Sequence, residues 1–130
     1  MASIPESHRD LLQASTAVLA TIGSDGRPQL SAVWFVADGD TVRVSLNDTR
    51  QKTKNLQANK ACNLFILDTA RTTRYLELRG DAQIEPDPDY QFAAQVNAKY
   101  DADVKAYDAP GSSRVVVTIQ PTRVNAVDMG

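Results

Sequence analysis

Three cations crowd one short segment near the middle of the chain. Arg50, Lys52 and Lys54 lie close together with Thr53 among them, and no acid separates them. The segment that starts at Asp48 lacks strand alternation and contains good helix formers, which predicts a helix of about two to three turns. Cations in the first turn face the positive end of the helix dipole, which is ordinarily unfavourable. A bound phosphate would remove this conflict, because free N–H groups, a hydroxyl and cationic side chains would converge on it. A solvated basic helix is the alternative.

A predicted strand ahead of this helix carries a face of mixed polarity. Gln29, Ser31 and Val33 alternate along it, and Ser45 points outward on a later strand. Small polar groups beside aliphatic ones suit a flat heteroaromatic ring, whose edge needs hydrogen bonds and whose face needs apolar cover. An ordinary solvent-facing strand is the alternative. Trp34 falls on the opposite, more apolar face, which favours a place in the core or at a subunit contact.

Several kinds of catalytic and metal site are excluded by residue type. A Ser-His-Asp hydrolase needs a positioned imidazole, and His8, in an N-terminal helix, is the only histidine. Cys62 is the only cysteine, so the chain forms no internal disulfide and lacks the usual zinc ligand sets. The glycines of residues 23–26 belong to a predicted hairpin and are too closely spaced for a phosphate-binding loop. We therefore expect neither a catalytic residue of these classes nor a metal site.

Length and charge restrict the number of domains, the binding partners and the cellular location that we expect. The 130 residues correspond to one domain. Fourteen basic and sixteen acidic side chains give a net charge of −2, which argues against a nucleic-acid or anionic-membrane surface and makes any anion site local. No apolar run approaches the roughly 20 residues that cross a bilayer, and the N-terminal residues lack the pattern of a signal peptide. We expect a cytoplasmic protein.

Alternating hydrophobic patterns predict a mainly β fold. Strands are expected over about 16–23, 29–36, 41–46, 61–68, 75–84 and 114–119, the last continuing over 122–127 after Pro121. Helices are expected over about 4–14, within 48–59 and over 90–100. Ser3 is the expected cap of the first helix, aspartates of residues 85–89 would cap the third, and Gly80 marks an expected bulge. With the first three strands as a meander, we expect a six-stranded antiparallel barrel whose openings are plugged by short peripheral helices.

The order of these segments resembles a known superfamily. The run AVLATIGSDGRPQLSAVWF, followed by VRVSLNDTRQKTKNL, NLFILD and YLELRGDAQI, is similar to the split β-barrel flavin and deazaflavin proteins typified by pyridoxamine 5′-phosphate oxidase. Within that superfamily the chain most resembles small actinobacterial members that use the deazaflavin coenzyme F420. The similarity extends over about residues 10–127 and is most specific in GRPQLSAV and RQKTKNL.

The resemblance implies a six-stranded split barrel and an obligate homodimer with cofactor sites at the subunit interface. It implies that the cofactor phosphate is held by Arg50, Lys52 and Thr53. The ring would be lined by Gln29, Ser31 and Val33, Ser45 would reach the ribityl or phosphate portion, and Tyr75 would enter from the partner subunit. Ala32 departs from related deazaflavin proteins, which can present an amide side chain there.

The implied activity is an F420-dependent oxidoreductase. Hydride would pass from reduced F420 to an electron-poor small molecule of the enone, quinone or tetrapyrrole type. FMN is the alternative cofactor, because the two coenzymes share their phosphate-bearing tail. A non-catalytic flavin-binding or haem-binding protein and a purely structural barrel dimer are the alternatives from other classes.

Overall fold

The computed structural model describes residues 2–130, which form a single sheet with short helices around it. The strands are β1 (Ala17–Ile22), β2 (Pro28–Val33), β3 (Val36–Asp38), β4 (Thr41–Asn47), β5 (Ala61–Leu67), β6 (Arg74–Pro86) and β7 (Arg114–Asp128). The helices are α1 (Gln51–Ala58), α2 (Gln91–Tyr100) and two 3₁₀ helices, Glu6–Gln13 and Val104–Tyr107. Neither α-helix of this described part has the length and apolar character needed to cross a membrane.

The sheet is antiparallel throughout and has the strand order β2-β1-β5-β6-β7-β4-β3. The predicted mainly β, antiparallel architecture is confirmed. The predicted number of strands was wrong, because seven strands form instead of six. The sheet is also not closed, since no ladder joins β2 to β3 at its two ends. Only Trp34 and Phe35 separate these end strands in the chain, so the sheet must curl until its ends lie near each other.

The break between β2 and β3 corrects the predicted strand over 29–36. Phe35 turns into the core and is fully buried. Its N–H donates to the Tyr100 hydroxyl at 3.0 Å, and its carbonyl accepts from the Lys99 ammonium at 2.7 Å. Side chains of α2 therefore satisfy backbone groups that a ladder would otherwise use. The predicted meander also fails here, because β4 pairs with β3 and β7 rather than with β2.

The helix predicted over about 4–14 forms as a 3₁₀ helix over Glu6–Gln13. Pro5 precedes it, and the predicted serine cap at Ser3 is wrong. Tertiary contacts hold this segment against the sheet: the Ile4 N–H donates to Asp40 Oδ1 at 3.0 Å, and His8 Nε2 lies 3.0 Å from the Val127 carbonyl. His8 is buried, so the only imidazole of the chain has a structural position.

Two local predictions are confirmed in detail. The register between β6 and β7 shifts at Gly80, where a Cβ would lie 2.6 Å from the carbonyl oxygen of Gln120. Only glycine allows the backbones to approach so closely. Asp87 caps α2, because its carboxylate accepts from the N–H groups of Gln91 at 2.9 Å and Ala93 at 3.0 Å.

The inward faces of the strands form one apolar core. It is filled mainly by aliphatic side chains with Phe35 at one end, and a smaller cluster of Phe92, Ala93, Val96 and Val104 lies under α2. Cys62 belongs to the main core, and burial raises the pKa of its thiol to about 12. The thiol is therefore protonated at neutral pH and takes no part in the chemistry considered below.

Candidate functional site

A cleft of about 290 Å³ opens beside the split in the sheet. The short β3 pairs only with residues 41–43 of β4, so the following residues of β4 have no strand on that side. The end of β2, the start of α1 and the second 3₁₀ helix border the gap that remains. The cleft is lined by Ala32, Val33, Trp34, Val44, Ser45, Leu46, Arg50, Lys52, Val96, Val104, Tyr107 and Arg114.

Arg50, Lys52 and the first turn of α1 form the positively charged side of this cleft, which we call the anion cradle. Arg50 is the exposed N-cap residue, and no acid lies in the first turn. Lys52 is only 5% exposed, yet among the described residues it has neither an ion pair nor a hydrogen-bond partner. Burial, and secondarily the charge of Arg50, lowers the pKa of Lys52. A partly desolvated ammonium without a partner is unfavourable, and an anion in the cleft would supply one.

Thr53 supports the cradle from behind rather than lining the cleft. Its side chain is fully buried, and its hydroxyl donates to the carbonyl of Asn47 at 2.8 Å. The hydroxyl thus ties the first turn of α1 to the end of β4. Of the three residues expected to hold a phosphate, the structure brings Arg50 and Lys52 to the cleft and places Thr53 beneath it.

The residues expected around a ring divide in the same way. Val33 and Ser45 line the cleft, whereas Gln29 and Ser31 do not. Gln29 lies on the inner face of the sheet, where its side-chain oxygen accepts from Asn55 Nδ2 at 3.0 Å. The Ser31 hydroxyl is buried and has no hydrogen-bond partner among the described residues. Alternation along β2 therefore correctly separates the two faces. The mixed face points inward, however, and of its three residues only Val33 reaches the cleft.

Tyr75 lies away from the cleft of its own chain. It pairs with Leu67 of β5 and Val127 of β7 in the sheet, and its ring packs against Phe65 with centroids 5.1 Å apart. These side chains belong to the outer face of the sheet, which is turned away from the core. The outer face also includes Val18, Ala20, Ile22, Leu30 and Ala32.

Residues of the cleft that the sequence did not reveal come from the second half of the chain. Tyr107, which is 73% exposed, lines the cleft together with Trp34, whose ring stacks on Tyr100 with centroids 4.5 Å apart. Arg114 lines the cleft but is paired with Asp108 at 2.8 Å, so it contributes little net charge. Residues 101–111 carry no hydrophobic period, and their proximity to β4 exists only in the folded chain.

Comparison with known proteins gives one family and a consistent set of structures. The model of the family described as pyridoxamine 5′-phosphate oxidase matches residues 4–128. A solved structure named F420 reductase is 35% identical, with a TM-score of 0.83 over 94% of this chain and 98% of that one.

Two more distant structures share the fold. A conserved hypothetical protein from Mycobacterium tuberculosis is 24% identical over 96% of this chain and 85% of its own, with a TM-score of 0.79. General Stress Protein 26 from Bacillus anthracis is 19% identical over 94% and 92%, with a TM-score of 0.71. The matched region includes the split sheet, the cleft and the anion cradle together, and by this match the chain belongs to the pyridoxamine 5′-phosphate oxidase family.

Proposed function

We propose that this protein is an oxidoreductase that binds F420 and passes hydride from the reduced coenzyme to an electron-poor small molecule. The family membership supports a flavin-type or deazaflavin cofactor, and the similar structure named F420 reductase favours the deazaflavin. The acceptor is of the enone, quinone or tetrapyrrole type.

One observation carries the cofactor site: the Lys52 side chain is buried in the anion cradle, and its ammonium has no partner among the described residues. Its position at the start of α1 adds free backbone N–H groups and the positive end of the helix dipole. Arg50 supplies a second cation at the solvent side. This donor set fits the phosphate that F420 and FMN share, because several charge-assisted donors converge where no carboxylate competes.

The part of the cofactor beyond the phosphate needs a binding surface in addition to the cleft of one chain. A cleft of about 290 Å³ is at the lower limit of small-molecule pockets, roughly 300–1,000 Å³, and F420 is a large ligand. Ala32 belongs both to the cleft and to the outer face of the sheet, so the cleft opens directly onto that face. We propose that a second copy of the chain packs on the outer face and completes the site, with the partner's Tyr75 at the interface.

The outer face has the composition of such an interface. Apolar side chains of β1, β2, β5 and β6 surround a polar centre at Glu77, which accepts from Asn125 at 2.7 Å and from Arg79 at 3.1 Å. Leu30 is 66% exposed there. Homodimer interfaces are more apolar than the rest of a protein surface, and the apolar strand residues of this face fit that composition, while the carboxylate of Glu77 already has its hydrogen bonds.

The chain's own part in the reaction is binding and orientation. Reduced F420, when bound, supplies the hydride at its C5. Arg50 and Lys52 would fix the phosphate end, Val33 and Ser45 would lie along the cofactor, and Trp34 and Tyr107 would flank the mouth where a conjugated acceptor enters. The cleft lining contains no carboxylate and no imidazole, so the protonation of the reduced acceptor is assigned to water.

The test is a parallel fluorescence titration of the purified protein with F420 and FMN, followed by steady-state oxidation of reduced F420 in the presence of menadione as a quinone acceptor. We expect saturable F420 binding and acceptor-dependent turnover. Lys52→Ala should weaken F420 binding by about 10- to 100-fold, roughly 1–3 kcal/mol. Lys54→Ala is the matched control, because Lys54 is exposed on the same helix and does not line the cleft.

Each other outcome selects a different function. Preference for FMN would make the protein a flavin oxidoreductase, and tight binding without turnover would make it a cofactor carrier. Equal affinities for the wild type and Lys52→Ala would remove Lys52 from the site. No saturable binding of either coenzyme would contradict the proposal altogether.

A further inference from the structure

The turn that leads from β4 into α1 is built around one side chain, Asn47. Its Oδ1 accepts from the Thr49 N–H at 2.9 Å and from the Thr49 hydroxyl at 2.6 Å. Its carbonyl accepts from the Arg50 N–H at 3.2 Å and from the Thr53 hydroxyl at 2.8 Å. Asn47 is 8% exposed, so these bonds are shielded from water. The conformation of the anion cradle therefore depends on how the Asn47 amide is oriented.

That orientation is fixed by the segment that follows the second 3₁₀ helix. Asn47 Nδ2 donates to Asp108 Oδ1 at 2.9 Å and to the Ser112 hydroxyl oxygen at 2.9 Å. An asparagine amide can rotate by about 180°, and the rotated form would point its NH₂ at the Thr49 N–H, donor against donor. An ionised carboxylate only accepts hydrogen bonds, so Asp108 selects the orientation that the turn requires.

Asp108 is itself held in the ionised state. Burial by itself would raise the pKa of Asp108, but hydrogen bonds from Arg114, Asn47 and Tyr90 together hold it below its ordinary value. Arg114 donates to both carboxylate oxygens at distances of 2.8–3.1 Å, and the Tyr90 hydroxyl donates at 2.9 Å. Arg114 also reaches the Val104 carbonyl at 3.3 Å, which ties the second 3₁₀ helix to the same network.

We propose that Asp108 is a positioning residue for the anion cradle, acting on a bound phosphate through Asn47. The inference rests on the proposed function of the cradle. Asp108 does not line the cleft, and its negative charge would by itself repel a phosphate. If Asp108 positions the cradle, removing its carboxylate should weaken phosphate binding. If its effect is purely electrostatic, removing the carboxylate should strengthen phosphate binding. A general structural role predicts a third pattern, in which all ligands are affected alike.

The experiment compares ligands that differ only in the phosphate. Wild type and Asp108→Ala are titrated with FMN and riboflavin, and with F420 and its phosphate-free deazaflavin nucleoside. We expect Asp108→Ala, which removes the acceptor of Asn47 Nδ2, to weaken FMN and F420 by 10-fold or more and to change the phosphate-free forms by less than 2-fold. Equal losses for both forms, no loss, or tighter binding of the phosphate forms would each overturn the proposal.

A second measurement uses the wild-type protein, because Asp108→Ala leaves Arg114 buried without its charge partner and could prevent folding. Hydrogen exchange of residues 101–113 is followed with saturating FMN and with saturating riboflavin. By linkage, a loop that stabilises the phosphate-bound cradle is stabilised in return. FMN should slow exchange in 101–113 more than riboflavin does, and identical exchange with both would refute the positioning role.

Failure of the proposed function gives a separate result. In that case wild type binds neither member of a pair, or binds phosphate-bearing and phosphate-free forms equally. The inference about Asp108 is tested only against a wild type that prefers the phosphate-bearing forms.

Discussion

Lys52 is a side chain whose burial opposes folding unless an anion is present. It is 5% exposed and has no partner among the described residues, so its ammonium is partly desolvated and no opposite charge compensates it. Residues of this kind are retained for binding rather than for stability. The free energy of unfolding and the affinity for a phosphate should therefore respond in opposite directions when the charge is removed.

Lys52→Met tests this opposition. The substitution keeps an unbranched, flexible side chain and removes the ammonium, so the cofactor-free protein should gain about 1 kcal/mol in free energy of unfolding at pH 7. Binding of F420 or FMN should weaken at the same time. Urea denaturation measures the first effect and fluorescence titration the second. Lys54→Met, at an exposed position of the same helix, should change neither by a comparable amount.

The stability gain has a defined pH dependence. The pKa of Lys52 is lower in the folded chain than its ordinary value of 10.5, so the unfolded chain binds the proton more tightly. The free-energy cost of holding the charged ammonium in the folded chain is complete below the folded pKa, and it decreases as the pH rises from that pKa towards 10.5. The difference between Lys52→Met and wild type should narrow over that range, and a constant difference would argue against a buried ammonium.

The structure brings the predicted cations Arg50 and Lys52 to the cleft, whereas two of the residues predicted along the ring lie outside it. Arg50 and Lys52 conflict with the helix dipole, and a local conflict can be read without knowing the fold. Gln29 and Ser31 were expected at the ligand because alternation identifies a face, but alternation does not say whether that face is inward. Asp108 left no signal, since its relation to Asn47 spans 61 residues of sequence.

At the level of elements, the continuous pairing of β6 with β7 depends on a single bulge. These are the two longest strands, and they remain paired from Arg74 to Pro86 because Gly80 absorbs the register shift. Pro121 lies opposite Gly80 and has no N–H to donate, so the bulge also places the proline where no ladder bond is required. Local rules therefore predicted this feature correctly, since both residues indicate it from sequence.

Gly80→Ala should be strongly destabilising. The new Cβ would lie 2.6 Å from the Gln120 carbonyl oxygen, and neither backbone can move without disturbing the ladder. We expect a loss of about 2 kcal/mol, observed as a lower Tm in thermal unfolding. Gln83→Ala, on the same strand and exposed, is the control and should stay near wild type. An unchanged Tm for Gly80→Ala would show that the strands are less closely packed than described.

The elements that the sequence missed are those decided by tertiary contacts. Residues 29–36 alternate as one strand would, but Tyr100 and Lys99 capture the backbone of Phe35 and divide the strand in two. The choice of β7 rather than β2 as the partner of β4 is also non-local. Neither event leaves a pattern within a window of 10 to 15 residues, which is the reach of periodicity arguments.

At the scale of the whole molecule, the open sheet has a core on one side and the outer face on the other. The outer face extends over five strands and meets the mouth of the cleft at Ala32. If a second copy covers it, dimerisation and cofactor binding become linked, because one surface serves both.

Leu30→Arg tests that link. Leu30 is 66% exposed, so the substitution leaves the core of the chain intact but introduces two like charges across a symmetric contact. We expect monomers in sedimentation velocity and at least a 10-fold loss of F420 affinity. Gln95→Arg, at an exposed position of α2, is the control and should remain dimeric. A wild-type monomer with full affinity would exclude the proposed interface.

The brevity of β3 also decides how this scaffold can be altered. With three residues, β3 leaves residues 44–47 of β4 uncovered on one side. The crevice is thus bounded by the N-terminal end of β3, where Phe35 leaves the ladder, while the turn at Gly39 lies at the far end of the hairpin beside Thr41. Extending β3 backwards so that residues 34 and 35 pair with β4 would narrow the crevice, whereas a longer turn at Gly39 would leave its width unchanged, so the break between β2 and β3 is the place to engineer selectivity.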